Sequence, residues 1–547
     1  MSEETPQASL EVPAEPTAEP KPSPLREIVQ PFVDLVRAPR ALWGINASYF
    51  LEGLCYFGML QYLAMHFTGL IFQGVEQPDI YSHRMVMVLT AGITITMFFM
   101  GWVADRKGVR FALISSLVLL LAGRFVIWAA PTLLGLQPNG LWSPLHLVTM
   151  GGILLVVIGY GMYQPAAYAG VRRFTTEKTS AMAYAMLYAL MNLGGFLPTF
   201  GFLLRNEEYA GLGITGVFGI YTALTAVGLV LTALILTRRT EKLANENADL
   251  ERARVAATPD AGAAQPANPV RLFDRERKIP KHLWASLACV IAAVCFLLPT
   301  AFLGWFAGAV LVAAAVLTFA VPRSWRESVR VWLANHPLAD GTFFFFIFAL
   351  IPVQTLFTYN WLIIPQYVER AYTGWISQKF EIASNFNPLL IFLLVPVVAA
   401  LTQKRKVYNM MIVGTFVMAA PAFFLALGTN VYTLFAYLVF MTIGEAMWQP
   451  RFLQYAAEIA PEGRTGEYMG VAQFPWFLTK MLVPLYSGLF LTRYCADEAT
   501  IAKGIGAMQP ERMWFYFGVI AIVSTVLLVV ARGWIGKDYF QKKPATP

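Results

Sequence analysis

"GWVADRKGVR", residues 101–110, is a short polar loop between two apolar stretches, 84–104 and 111–130. Each flank is about 20 residues, long enough to cross a bilayer as a helix. Arg106, Lys107 and Arg110 mark the loop as cytoplasmic, because cations are retained on that side during insertion. Asp105 falls at a helix end, where it can pair with Arg106, Arg110 or a neighbouring helix N-terminus. Gly101 allows helices to approach closely, and Gly108 follows in the turn.

The same alternation runs through the chain. Apolar runs at 41–66, 84–104, 111–130, 147–170, 181–204 and 211–236 predict six spanning helices. A charged stretch, 237–282, reads as a partly helical cytoplasmic linker. The apolar block 283–322, with Pro299 near its middle, reads as an inserted hairpin of two spans. Runs at 341–365, 382–402, 408–428, 431–459, 467–491 and 512–532 predict six more. The expected fold is an all-α polytopic membrane protein of about 14 transmembrane helices. Its N-terminal six-helix bundle spans 25–236 and its C-terminal one 323–536. Residues 1–24, rich in Pro, Glu and Ala, read as a disordered tail, and 537–547 as a second tail. The tails, the linker and the cation-bearing loops put both termini in the cytoplasm of a multi-pass cell-membrane protein, the inner membrane in a bacterium.

Bulk composition agrees. Hydrophobic residues make up 57% of the 547 and charged residues 14%, against about a quarter charged in soluble domains. Mean hydropathy is +0.55. The net charge of +8 sits in short clusters between apolar runs, an orientation signal and no nucleic-acid surface. The four cysteines and five histidines are dispersed without ligand spacing, so neither metal nor other cofactor is expected. No phosphate-cradling loop or nucleophile elbow suggests an enzyme.

The loop at 101–110 resembles the Gly-x-x-x-Asp-Arg-x-Gly-x-Arg signature of the major facilitator superfamily. Further stretches resemble its proton-coupled oligopeptide transporters: "GYGMYQPAAYAGVRRF" (159–174), "YALMNLGGF" (188–196), "NPLLIFLLVP" (387–396) and "GEAMWQPRFLQYAAEIAPEGRTGEYMG" (444–470). The inserted hairpin is similar to the two additional helices of bacterial members. The resemblance implies a major facilitator fold, two six-helix bundles rocking about a central site. It also implies that Gly101, Asp105, Arg106, Gly108 and Arg110 latch one conformation.

That family's first helix carries Glu-x-x-Glu-Arg-Phe-x-Tyr-Tyr-Gly; here the aligned stretch is "YFLEGLCYFG", residues 49–58. Glu52 and Tyr56 match. Tyr49 replaces the first Glu, Gly53 the Arg, and Phe57 the second Tyr. Gln164 stands where the family has a fourth-helix Lys. By the same resemblance Asn192, Asn387 and Glu445 hold a substrate amine, and Gln354 matches a seventh-helix Gln.

The residues themselves support part of this. Tyr49, Glu52 and Tyr56, spaced i, i+3, i+7, share one helical face. An acid within a span is a functional candidate, and burial favours its protonated form. Glu52 and Glu445 are therefore candidate proton-coupling groups, the alternative for Glu52 being a structural acid hydrogen-bonded to a neighbouring helix. Glu445 could accept an ammonium group or form a fixed ion pair with Lys480. Arg124 and Lys480 are two unexpected intramembrane cations; either could supply the missing cationic pole, or pair structurally, or snorkel to an interface. Trp448 and Trp476, with Tyr160, Tyr163, Tyr168, Tyr359 and Trp361, are candidates for an aromatic cavity wall. The expected function is proton symport of a peptide-like or amine-bearing small solute, carried out by a monomer in the lipid bilayer. The alternatives are a facilitator or exporter of another metabolite or drug, and a sensor that transports nothing.

Overall fold

The computed structural model describes residues 40–100, 102–175, 177–257, 274–297, 321–402, 405–459 and 470–541, with a few isolated positions between them. Expectations for residues 1–24, for Gly101, for most of the hairpin and for the last six residues lie outside the described residues. So does the side chain of Asp105.

The first half comprises α1 (Arg40–His66), α2 (Pro78–Met100), α3 (Val109–Thr132), α4 (Pro144–Phe174), α5 (Glu177–Phe196) and α6 (Gly213–Ile235). Then come the polar helix α7 (Arg238–Ala257), α8 (Lys281–Leu297) and α9 (Arg323–Asn335). The second half holds α10 (Gly341–Ala349), α11 (Ile351–Leu362), α12 (Phe386–Thr402), α13 (Val407–Ala419), α14 (Val431–Ile459), α15 (Phe474–Tyr494) and α16 (Pro510–Gln541). No strand forms among the described residues; one isolated bridge joins Cys495 to Met508. Nine helices among these residues are long and apolar enough to cross a membrane.

Three local choices shape these helices. The seventh expected span is one apolar run, 341–365, but forms two helices: Pro352, in the first turn of α11, cannot continue the hydrogen bonding of α10. Asp340 starts α10 by accepting from the backbone N–H of Thr342 (3.0 Å) and Phe343 (3.1 Å). The first span is longer than expected, because a π-helical turn, Phe67–Ile71, continues α1.

Close glycine contacts build each half in the same way. A Cβ on Gly123 of α3 would lie 2.6 Å from the Gly152 carbonyl oxygen of α4. A Cβ on Gly444 of α14 would lie 2.7 Å from the Gly414 oxygen of α13. Only hydrogen fits at either point. In both halves the next residue is charged, Arg124 after Gly123 and Glu445 after Gly444.

The signature loop docks on the linker. The Arg110 backbone N–H donates to Glu241 of α7 (3.2 Å), and its Nε donates to the Leu236 carbonyl that ends α6 (2.8 Å). Gly108 turns with φ +90°, and its position faces the Glu241 carboxylate. Arg106 is exposed. This is the basic end of the molecule; the opposite end is called distal below.

Candidate functional site

The first-helix acid is paired. Glu52 is 3% exposed and Arg124 1% exposed. Arg124 Nη1 donates to Glu52 Oε2 at 2.8 Å, and Nη2 donates to Oε1. The guanidinium also donates to Thr225 Oγ1 of α6 (2.5 Å) and to the Tyr160 hydroxyl of α4 (3.3 Å). Tyr160 in turn donates to Glu52 Oε1. Four helices meet in one closed network whose donors and acceptors match, the arrangement a buried ion pair requires.

The rest of the α1 face packs on α4. Tyr56 meets Tyr160 edge-on with ring centroids 4.8 Å apart, and Tyr49 stacks on Tyr163 at 5.8 Å. The Tyr163 hydroxyl lies 2.9 Å from Ser48 Oγ. Gln164 is half-buried one residue further on. Gly53 is not a vacant arginine position. A Cβ there would lie 3.2 Å from both the carbonyl oxygen and the sulfur of Met191, so α1 and α5 touch along their backbones. Asn192, the next residue of α5, is half-buried.

The second half differs. Glu445 is buried on α14, and its Oε2 accepts from Asn387 Nδ2 of α12 at 2.9 Å. The same amide nitrogen donates to Thr442 Oγ1 at 3.0 Å. Among the described residues no cation pairs with Glu445, and the alternative of a fixed ion pair with Lys480 is not formed. Lys480 of α15 is half-buried, its Nζ 5.6 Å from the Trp476 ring centre, and no described carboxylate is within ion-pair distance. Trp476 packs on Phe357 of α11 with centroids 4.5 Å apart. Gln354 of α11 is buried, and its Oε1 has no hydrogen-bond partner among the described residues. Trp448 is buried against α13 and donates to Met418 Sδ at 3.1 Å. The structure therefore gathers Asn387 and Glu445 in one cluster, Trp476 and Lys480 in a second, and Tyr49, Glu52 and Tyr56 in a third, on the other half.

The distal end carries polar clasps between the halves that the sequence did not flag. Asp79 at the start of α2 forms a double ion pair with Arg370 (2.7 and 2.8 Å). Gln366 donates to Asp79 (3.3 Å) and lies 2.8 Å from His83, whose other ring nitrogen lies 2.6 Å from Ser487 of α15. Arg370 lies beyond the apolar part of its span. Burial opposes its charge, but the Asp79 carboxylate outweighs burial and holds its pKa above the usual arginine value. A second clasp joins Arg205 and Tyr62 to Glu381, at 2.8 and 2.7 Å. A third joins Asn385 to Gln61 at 2.6 Å. The signal for both acids was an Asp or Glu beside an apolar run, which does not by itself name a partner.

The model of the Major Facilitator Superfamily matches residues 77–484 and 338–547, and the chain belongs to that family. It is a multi-pass membrane transporter and not an enzyme. A comparison with curated protein sequences returns no match. Among solved structures it is similar to the POT family transporter PepTSo, with TM-score 0.60, 17% identity, and 92% of this chain and 99% of that one covered. A POT family transporter in complex with 5-aminolevulinic acid gives TM-score 0.58 at 17% identity, covering 91% and 97%. An auto inhibited POT family peptide transporter gives 0.60 at 16%, covering 93% and 99%. The fold is thus that of the POT family transporters, as the sequence motifs implied.

Proposed function

We propose that the chain is a proton-coupled symporter of an amine-bearing, peptide-like solute, with Glu445 as the coupling and recognition acid. One observation carries this: Glu445 is a buried carboxylate with an amide neighbour and no described cation, whereas Glu52 is neutralised by Arg124. A carboxylate without a counter-ion can take either a proton or a substrate ammonium, and that exchange is the basis of coupling. Lys480, beside Trp476 and without a carboxylate partner among the described residues, supplies the complementary pole for a substrate carboxylate. Asn192, Gln354, Asn387, Tyr49, Tyr56, Gln164 and Trp448 are the remaining candidates for the cavity wall. A small amino acid such as the 5-aminolevulinic acid named with one structural relative has both required groups. The distal clasps then form the outer gate, and the basic end faces the cytoplasm with both termini.

The test is uptake by purified protein in proteoliposomes. Di- and tripeptides, amino acids and amines are first ranked by thermal stabilisation, and the best is followed under an imposed pH gradient. Symport predicts accumulation that follows the gradient, and Glu445→Gln should uncouple uptake from it. Uptake indifferent to the gradient in the native protein excludes symport. A specific observation favours a second reading, a facilitator for another metabolite or drug: Gly53 packs on Met191 where the peptide-transporter motif has its arginine. No stabilisation by any peptide, with stabilisation by amines alone, would select that reading.

A further inference from the structure

Helix α9, sequence "RSWRESVRVWLAN", sorts its side chains by chemistry. Trp325, Val329 and Trp332 recur at i, i+4 and i+7 and share one face; they are 69%, 50% and 52% exposed. Arg323, Arg326 and Arg330 occupy the other face. Such a helix is expected to lie along a membrane surface, apolar side down.

Its position fits that surface. Only His336, the short turn Pro337–Ala339 and Asp340 separate α9 from the span that begins at Gly341, so the helix sits at the edge of the bilayer. More positive charge is strapped alongside. Arg330 donates to the carbonyls of Arg275 (2.6 Å) and Arg277 (3.1 Å). Asn335 Nδ2 donates to the Asp274 carbonyl (2.9 Å), and its Oδ1 accepts the Asp274 N–H (3.2 Å). These bonds hold the exposed residues Arg275, Arg277 and Lys278 beside α9. Across 274–281 and α9 there are seven cations and three acids, Asp274, Glu276 and Glu327.

We propose that α9 and the strapped segment 274–281 form a docking surface for anionic phospholipid headgroups, Trp325 and Trp332 seated at the headgroup–acyl boundary. Charge complementarity and direct continuity with a membrane span select the anionic bilayer over a second copy of the chain. Tryptophan is also the side chain best suited to that boundary, and clustered Arg and Lys next to a span are attracted to acidic lipids.

The test is hydrogen–deuterium exchange on the full-length protein in nanodiscs of phosphatidylcholine, with and without phosphatidylglycerol. Amides 323–335 should exchange several-fold more slowly in the anionic discs. Arg323→Gln with Arg326→Gln should remove that difference while leaving the straps of Arg330 intact. Trp325→Ser with Trp332→Ser should raise exchange in both lipids. Exchange in the native protein that ignores phosphatidylglycerol overturns the proposal without any variant. So does protection that appears only in discs holding two copies of the chain, which would assign the face to self-association.

Discussion

Arg124, buried among the leucines of α3, holds the charge of Glu52 inside the first half. A lone arginine in a run of leucines is conspicuous, and its charge demands a partner. That the partner is Glu52, 72 residues away, follows only from helix packing. The acid was legible because charge in a span is rare; the closed network with Tyr160 and Thr225 was not, because neither residue is unusual there. Removing one member of a buried pair leaves an uncompensated charge, at a cost of about 3–5 kcal/mol. Arg124→Ala should therefore strongly lower the unfolding temperature in detergent, and Glu52→Gln combined with Arg124→Gln should recover much of the loss. An Arg124→Ala protein as stable as the native one would refute the pairing. Lys480 makes the opposite prediction, because no carboxylate among the described residues pairs with it. Lys480→Met keeps the apolar stem and removes the charge, so folding should be nearly unchanged. Substrate affinity should fall by roughly tenfold or more, since a hydrogen bond to a charged group is worth about 1.5–3 kcal/mol. Saturation uptake measurements separate the two: a raised KM in a normally stable protein supports a binding role for Lys480, and an unchanged KM removes it.

At the scale of elements, apolar run length foretold most of the spanning helices, because a bilayer of fixed thickness sets it. It could not foretell how near each pair of helices comes. That depends on single glycines: Gly123 against Gly152, Gly444 against Gly414, and Gly53 against Met191. Nor could it foretell the split of the seventh span, because Pro352 is compatible with a kinked helix as well as with a fresh start. Gly53 shows the cost of reading an element from its motif alone. Aligned to the first-helix motif it looks like a lost arginine; in the fold it is one of the points where α1 and α5 touch. Gly53→Arg, which would restore the motif letter, should thus restore no function. A Cβ there already lies 3.2 Å from the Met191 carbonyl oxygen and sulfur, so Met191 must give way to a longer side chain, and overpacking of this kind costs about 1–3 kcal/mol. The variant should melt at lower temperature and gain no peptide stabilisation. A Gly53→Arg protein with native stability and new peptide binding would mean that α1 and α5 have slack the packing does not show.

The whole molecule has its two halves built alike but charged differently. In the first half Glu52 and Arg124 cancel; in the second Glu445 and Lys480 each stand apart from any described counter-ion. A transporter that alternates between two states needs contacts that exist in one and break in the other. The distal clasps qualify, because Asp79–Arg370, Arg205–Glu381 and Gln61–Asn385 all join first-half to second-half elements. If they hold the distal side shut, weakening them should populate the state open on that side. Cys495 offers a native reporter: it is fully buried, and its carbonyl accepts from Arg370 at 3.0 Å. Asp79→Asn removes the carboxylate charge while keeping the shape of the side chain. In sealed vesicles with the distal face outward, that variant should label at Cys495 with a membrane-impermeant maleimide severalfold faster than the native protein. Peptide mass spectrometry distinguishes this site from Cys289, which is exposed already. Substrate and a proton gradient should also raise labelling in the native protein, because cycling must open the same clasp. Labelling of Cys495 that stays at the native level in Asp79→Asn and in Arg370→Gln alike would show that the distal seal is apolar packing, and that the ion pair only decorates it.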